Sequence, residues 1–397
     1  MDPIQGIQTV ANELMRHGQA AHDTLVDHLA KHPNLPFGID DMMQGKLPTV
    51  AEFTAAAAVA TREAYGDIRK LVKSVPEDLQ RDFKAVVALF SELVQDLHPI
   101  NDQQVFRVTA GNVSRPFLEG MMAAERVKEF SDEKDLHTRL GTVTPNRAIY
   151  ALRDPHMDGA LISIQTAFTS GLPNNIGAII AAKDKVTATP DTAAFYSVSN
   201  WERVGGMPIG KPFILEVAEK ISREQPEIKN FVTLSPMPGF RQWLGKADEA
   251  TLVESGATRG MQHSLSEVRE AAFAAQSLDV LKQSPTYTDL QKLAAHYVTS
   301  GRMVNGSFEA ADSVANFHPR NGARFERLLP GADDSAQGFQ ASFGFMANYQ
   351  YRLADLEANA KAFRQGNMAR SNAVQHILND KAPTSSPRSR GTGLAPA

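Results

Sequence analysis

Apolar residues recur three and four positions apart over Leu79, Phe83, Val86, Val87, Phe90, Leu93, Val94 and Leu97, drawing one stripe along an amphipathic helix. Pro76 fits its first position, Glu77 and Asp78 sit at the positive end of its dipole, and Pro99 ends it. The Ala-rich stretch Thr49 to Val75 reads as another helix, and the pattern stays helical to about residue 130. From about residue 147 the period shortens to that of strands. Ala148 to Leu152 and Ala160 to Phe168 are β-rich runs separated by the turn-forming Asp154-Pro155-His156-Met157-Asp158-Gly159, and Ala193 to Ser199 is a third strand. Phe213, Ile214, Val217 and Ile221 then mark one face of a helix, followed by a strand at Phe231 to Leu234. Further helices fill 247–301, and Phe343 to Tyr351 reads as a last strand. The expected class is α+β, with helices first and an α/β region after them.

Composition narrows the chemistry. The 397 residues are 42% apolar and 22% charged, ordinary values for a globular chain long enough for two domains. The absence of Cys excludes disulfides, thiolate nucleophiles and Cys-ligated metal centres. A formal charge of −4 gives no basic footprint for nucleic acid or an anionic membrane. No apolar run approaches the roughly 18 to 20 residues that span a bilayer. Met1-Asp2-Pro3-Ile4-Gln5 does not open a secretory leader pattern, so the expectation is a cytoplasmic protein. His17, His22, His28 and His32 do not share one helix face, and we read them as a solvated surface rather than metal ligands.

Four segments could carry chemistry. Gly205, Gly206 and Gly210 lie between a strand and a helix, where backbone N–H groups and the helix dipole can cradle a pyrophosphate and Lys211 can add a charge; an ordinary strand-to-helix turn is the alternative. Ser235, in Thr233-Leu234-Ser235-Pro236-Met237-Pro238-Gly239-Phe240, stands at the end of a strand, where α/β sheets place ligands, or it closes a local turn. It lacks the G-x-S-x-G surroundings of a hydrolase nucleophile. His318, between Phe317 and Pro319, has the acid–base range of an imidazole, or is a structural histidine. In Gly344-Phe345-Met346-Ala347-Asn348-Tyr349-Gln350-Tyr351, phenol and amide groups alternate with apolar ones.

Together these segments resemble the malonyl-CoA decarboxylase family. TLSPMPGF is similar to its SLSP-x-PGF, VANFHPRNGA to V-x-x-FH-x-x-NGA, and GFMANYQY to G-x-M-x-NY-x-Y. Weaker likeness runs through FYSVS (195–199), AFTSGLPNNI (167–176) and ERVKEFSDEKDLHTRL (125–140), so that the resemblance covers about 104–353. It implies a helical, oligomerisation-type domain over 1–130 and a GNAT-like catalytic domain with a mixed central sheet over 131–382. Composition adds a disordered Ser/Pro/Gly-rich tail over 383–397.

The resemblance further implies catalytic roles for Ser235, His318 and Tyr351, and makes Gly205, Gly206, Gly210 and Lys211 the CoA pyrophosphate site. It implies loss of CO₂ from malonyl-CoA through a thioester enolate, with Ser235 and His318 orienting the carboxylate and His318 supplying the proton. No metal or cofactor beyond the CoA of the substrate is expected, and a cytoplasmic homo-oligomer of fatty acid metabolism is. Pro208 stands where some members carry a glutamate, and Leu329-Pro330-Gly331-Ala332-Asp333 replaces the usual NW-x-AD. The C-terminal residues are not the Ser-Lys-Leu of peroxisomal members. An acyltransferase using acyl-CoA or an acyl carrier protein, a decarboxylase of a specialised pathway, and a CoA-binding protein without activity remain the alternatives.

Overall fold

In a computed structural model, strand β1 (Val105–Arg107) pairs antiparallel with β2 (Arg147–Arg153), Phe106 opposite Ala151. The structure describes residues 100, 104–125, 127, 129–153, 159–181, 189–201, 209–304 and 306–378. The helices expected between residues 49 and 97, the four N-terminal histidines and the tail over 383–397 lie outside the described residues. The chain divides into two units, the first running to Leu172 and resuming until Phe231, the second holding Pro173–Ala181 and the residues from Val232 onward.

The first unit is a sheet covered by helices. β3 (Ala160–Thr169) pairs antiparallel with β2 and with β4 (Thr192–Asn200), and every residue of β3 is buried. Helix Arg115–Ala124 starts at Ser114, whose side chain accepts the Phe117 N–H, and carries Pro116 in its first turn. It buries Phe117 and Met121 in a cluster with Leu136, Leu140, Ile149 and Ala151. A Cβ on Gly120 would lie 2.8 Å from the Trp201 ring, so glycine lets the indole approach this helix. Helix Gly210–Glu224 packs across β1 and β3 with Phe213, Ile214, Val217 and Ile221 fully buried, the stripe its sequence predicts.

Strand β1 thus departs from the helical reading of the residues before 130, which helix Arg115–Ala124 bears out. A three-residue strand is too short to display a period of two, and its Val105 and Phe106 read equally well as helical apolar positions.

In the second unit, β10 (Met346–Tyr351) is the organising strand, buried along its whole length. The Val232–Thr233 end of β5 (Asn230–Thr233) and β6 (Ser235–Pro236) neighbour it, Ala347 opposite Ser235, and β9 (Arg324–Leu329) pairs with it antiparallel. The strand expected from Phe343 begins only at Met346. Phe343 (φ 54°) and Gly344 (φ 78°) are left-handed and close helix Ala336–Ser342, a conformation that no strand accommodates. Helix Tyr287–Thr299 packs on helix Phe240–Lys246, and Phe240 joins Tyr297, Phe343 and Phe345 in one aromatic core. A hairpin of β7 (Gly301–Val304) and β8 (Ser307–Ala310) leads into helix Ser313–Arg320. Among the described residues no helix is long and apolar enough to cross a membrane.

Candidate active site

Helix Ser313–Arg320 carries His318 and is held at both ends. At its start, Asp312 Oδ1 accepts the N–H groups of Val314 and Ala315 at 2.8 and 2.9 Å. Asp312 Oδ2 accepts the Tyr297 hydroxyl at 2.7 Å, and that phenol passes where a Cβ on Gly239 would lie 2.4 Å away. At its end, the Ala323 N–H returns to the His318 carbonyl at 3.1 Å, with Gly322 left-handed (φ +92°), a Schellman closure. A Cβ on Gly322 would lie 2.1 Å from the Leu356 carbonyl oxygen. Pro319 lies inside the helix and lacks the N–H that would bond the Ala315 carbonyl, while the closing turn is made by the N–H groups of Asn321, Gly322 and Ala323. The segment that carries His318 is therefore a helix with a fixed closing turn.

Ser235 comes from the strand side. Its Oγ lies 3.0 Å from His318 Nε2 and donates to Thr233 Oγ1 at 2.8 Å, while His318 Nδ1 lies 2.8 Å from the Tyr351 hydroxyl. The imidazole stacks on Tyr349 with ring centroids 4.8 Å apart, and Tyr349 in turn packs on Phe325. Ser235, His318, Tyr349 and Tyr351 are all buried. Burial lowers the His318 pKa from 6.5 to about 3, so the imidazole is neutral, and burial also raises Tyr351 far above the phenol range. The site is thus a line of neutral hydroxyl, imidazole and phenol, able to orient an acidic group and to carry a proton.

The three expected residues Ser235, His318 and Tyr351 are therefore brought together. Reading the sequence for chemistry alone missed their supports. Thr233 stands two residues before Ser235 and Tyr349 two before Tyr351, the strand period that puts each pair on one face. Asn348, fully buried, donates from Nδ2 to the Thr233 carbonyl, and its Oδ1 accepts Arg327 Nε at 3.3 Å. Asp312 was legible as a helix-capping residue six positions before His318. Asp333, of the segment that departs from the resemblance, accepts the Ser335 hydroxyl at 2.6 Å and serves the start of helix Ala336–Ser342.

Of the glycine-rich segment, Gly210 is described, in the first unit. Gly210 opens helix Gly210–Glu224, whose first turn has no side-chain cap. Gly205, Gly206, Pro208 and the Lys211 side chain lie outside the described residues. The same unit holds a second polar cluster. Buried Glu125 accepts the Ser197 hydroxyl at 2.8 and 2.7 Å and also accepts from Gln165, whose Oε1 accepts Arg139 NH1 at 3.3 Å. Arg139 is clamped by Asp135 through Nε at 2.9 Å and NH2 at 2.7 Å, which leaves a satisfied structural network within the sheet unit.

The described residues thus form an α+β chain whose buried site aligns a serine, a histidine and a tyrosine, with no cysteine anywhere in the sequence. Residues 105–388 match the model of the malonyl-CoA decarboxylase C-terminal domain, and the chain belongs to that family. The mitochondrial malonyl-CoA decarboxylase of Anser anser anser is 30% identical over 267 residues, covering 62% of this chain and 52% of that protein. Its counterpart from Rattus norvegicus is 28% identical over 271 residues, covering 62% and 53%. The chain thus spans about half the length of these curated relatives. The crystal structure of malonyl-CoA decarboxylase from Rhodopseudomonas palustris superposes with a TM-score of 0.64 at 26% identity, over 95% of this chain and 96% of that one. That from Agrobacterium vitis gives 0.60 at 26%, over 94% and 90%.

Proposed function

We propose that this protein decarboxylates malonyl-CoA to acetyl-CoA and CO₂. The observation that carries the reading is the unbroken line Ser235–His318–Tyr351 in a chain matching the malonyl-CoA decarboxylase C-terminal domain over residues 105–388. The thioester carbonyl, β to the departing carboxylate, accepts the electrons of the breaking C–C bond as an enolate, so the reaction needs no metal and no separate electron sink. What remains for the protein is to orient the carboxylate and to deliver one proton to carbon.

Neutral His318 suits both tasks in sequence. Burial disfavours its charge in the free protein, and an arriving carboxylate supplies the counter-charge that lets the imidazole take up a proton. Protonated His318 then hydrogen-bonds the carboxylate while Ser235 Oγ fixes the imidazole, and together they hold the carboxylate in the reactive orientation. As CO₂ departs, the negative charge moves to the enolate, His318 gives its proton to the α-carbon and returns to the neutral state. The balance is one carboxylate and one proton in, one CO₂ and one methyl group out. A rigid arginine clamp would instead stabilise the ground state and oppose the reaction.

The pyrophosphate of CoA is assigned to the segment Gly205, Gly206, Gly210 and Lys211 on the strength of the resemblance and of the uncapped helix start at Gly210. The same reading makes the protein a cytoplasmic homo-oligomer of fatty acid metabolism, to be checked by light scattering and by fractionation of expressing cells.

The test is turnover. Purified protein incubated with malonyl-CoA should release CO₂ and accumulate acetyl-CoA in equal amounts, followed by mass spectrometry. Unchanged malonyl-CoA, or an acylated amine or alcohol in place of acetyl-CoA, would overturn the reading.

A further inference from the structure

We propose that Thr233 is a positioning residue that sets the order of protons along Ser235, His318 and Tyr351, and thereby directs the site to C–C rather than thioester cleavage. The proposal rests on the decarboxylase reading for its consequence, but not for the proton order itself. Thr233 is almost fully buried at the end of β5, and its Oγ1 accepts the Tyr349 N–H at 3.1 Å and the Ser235 hydroxyl at 2.8 Å. Its carbonyl accepts from Asn348 Nδ2, so side chain and backbone are both anchored to β10.

Proton counting follows from these partners. A serine hydroxyl has one hydrogen, and that of Ser235 is committed to Thr233. Only lone pairs of Ser235 Oγ then face His318 Nε2, 3.0 Å away, so the hydrogen of that contact resides on Nε2. A neutral imidazole carries a single N–H, which makes Nδ1 the acceptor of the Tyr351 hydroxyl at 2.8 Å. His318 therefore presents Nε2–H as a donor to an incoming carboxylate, and Ser235 has no base to activate it.

The opposite order has a different chemistry. With its hydrogen released from Thr233, Ser235 would donate to Nε2, the arrangement of an activated serine nucleophile. Its Oγ would then bond to the thioester carbonyl carbon, its proton passing through His318 to the CoA sulfur as the C–S bond breaks. Water would hydrolyse the acyl-serine, giving free CoA and malonate. Thr233 is the group that keeps the serine–histidine pair out of this arrangement.

The experiment compares the full-length protein with Thr233→Ser, which keeps the hydroxyl, and Thr233→Val, which removes it at similar volume. Nitrogen-15 spectra of histidine-labelled protein report the His318 tautomer without substrate, and mass spectrometry with malonyl-CoA reports acetyl-CoA against free CoA. Wild type and Thr233→Ser should show hydrogen on Nε2 and make acetyl-CoA. Thr233→Val should move hydrogen to Nδ1, lose at least about tenfold in kcat with little change in KM, and raise the share of free CoA. Hydrogen on Nδ1 of the wild type would overturn the proposal even if the valine variant fails to fold. So would a folded Thr233→Val with wild-type tautomer, kcat and products, or a Thr233→Ser as impaired as the valine variant. Wild type without CO₂ release would instead sink the decarboxylase reading, leaving the spectra to decide the proton order.

Discussion

The Tyr351 hydroxyl lies 2.8 Å from His318 Nδ1, and both groups are shut away from solvent, so neither has water as a substitute partner. Tyr351→Phe leaves Nδ1 buried without its donor, at a cost of about 1 to 3 kcal/mol. Where that loss falls on the oriented imidazole in the transition state, it corresponds to roughly 5- to 150-fold in kcat. Steady-state kinetics with malonyl-CoA should show the fall in kcat with KM little changed. A variant with wild-type turnover would remove Tyr351 from the working site.

His318→Ala should be the most damaging single change, because the imidazole touches Ser235, Tyr349 and Tyr351 together. Loss of a general acid predicts a fall of about 10² to 10⁴ in kcat. Affinity for CoA, measured by calorimetry, should stay within about threefold, under 1 kcal/mol, because CoA recognition is assigned to the segment 205–211. Equal loss of binding and turnover would mean that His318 supports the fold rather than the reaction.

Much of this site was legible because its parts announce themselves locally. Ser235, His318 and Tyr351 sit in motifs dense with Pro, Gly, Asn and Tyr, and the buried helix face Phe213, Ile214, Val217 and Ile221 follows its period directly. What was not legible depends on partners distant in the chain. Gly239 is needed by Tyr297 and Gly322 by the Leu356 backbone, and neither relation leaves a local trace. β1 was missed because three residues carry no period, and the start of β10 was misplaced because Phe343 is a non-glycine residue in a left-handed turn. The suppressed basicity of His318 is likewise a product of burial that no residue type encodes.

Gly322 tests how strictly the end of helix Ser313–Arg320 is fixed. Its φ of +92° disfavours any side chain, and a Cβ would meet the Leu356 carbonyl oxygen at 2.1 Å, so backbone has to move on one side or the other. Gly322→Ala should cost about 2 to 4 kcal/mol of stability, the sum of conformational strain and the steric conflict. Since the displaced turn begins at the His318 carbonyl, turnover of the folded fraction should fall as well. Urea unfolding followed by circular dichroism, with kinetics on the same sample, checks both. An alanine variant as stable as wild type would show that the closing turn is free to shift.

Acid should weaken the fold through His318. The imidazole pKa is lowered by burial to about 3 in the folded protein from 6.5 when exposed. Above 6.5 neither state binds the proton, so the full stability is present. As the pH falls below 6.5 the unfolded chain takes up a proton that the folded chain refuses, and stability is lost at up to about 1.4 kcal/mol per pH unit until the folded pKa is reached. His318→Asn lacks this group while keeping a polar side chain, and other titrating groups are common to both proteins. Between pH 6.5 and 5 the variant should therefore lose about 2 kcal/mol less than wild type in urea unfolding. A bound, unreactive malonyl thioester should reverse the effect, because its carboxylate raises the folded pKa, and proton uptake on binding in weakly buffered solution should approach one per site. Parallel stability curves for the two proteins would show that the imidazole is not held neutral by the fold, and binding without proton uptake would show that the carboxylate does not reach it.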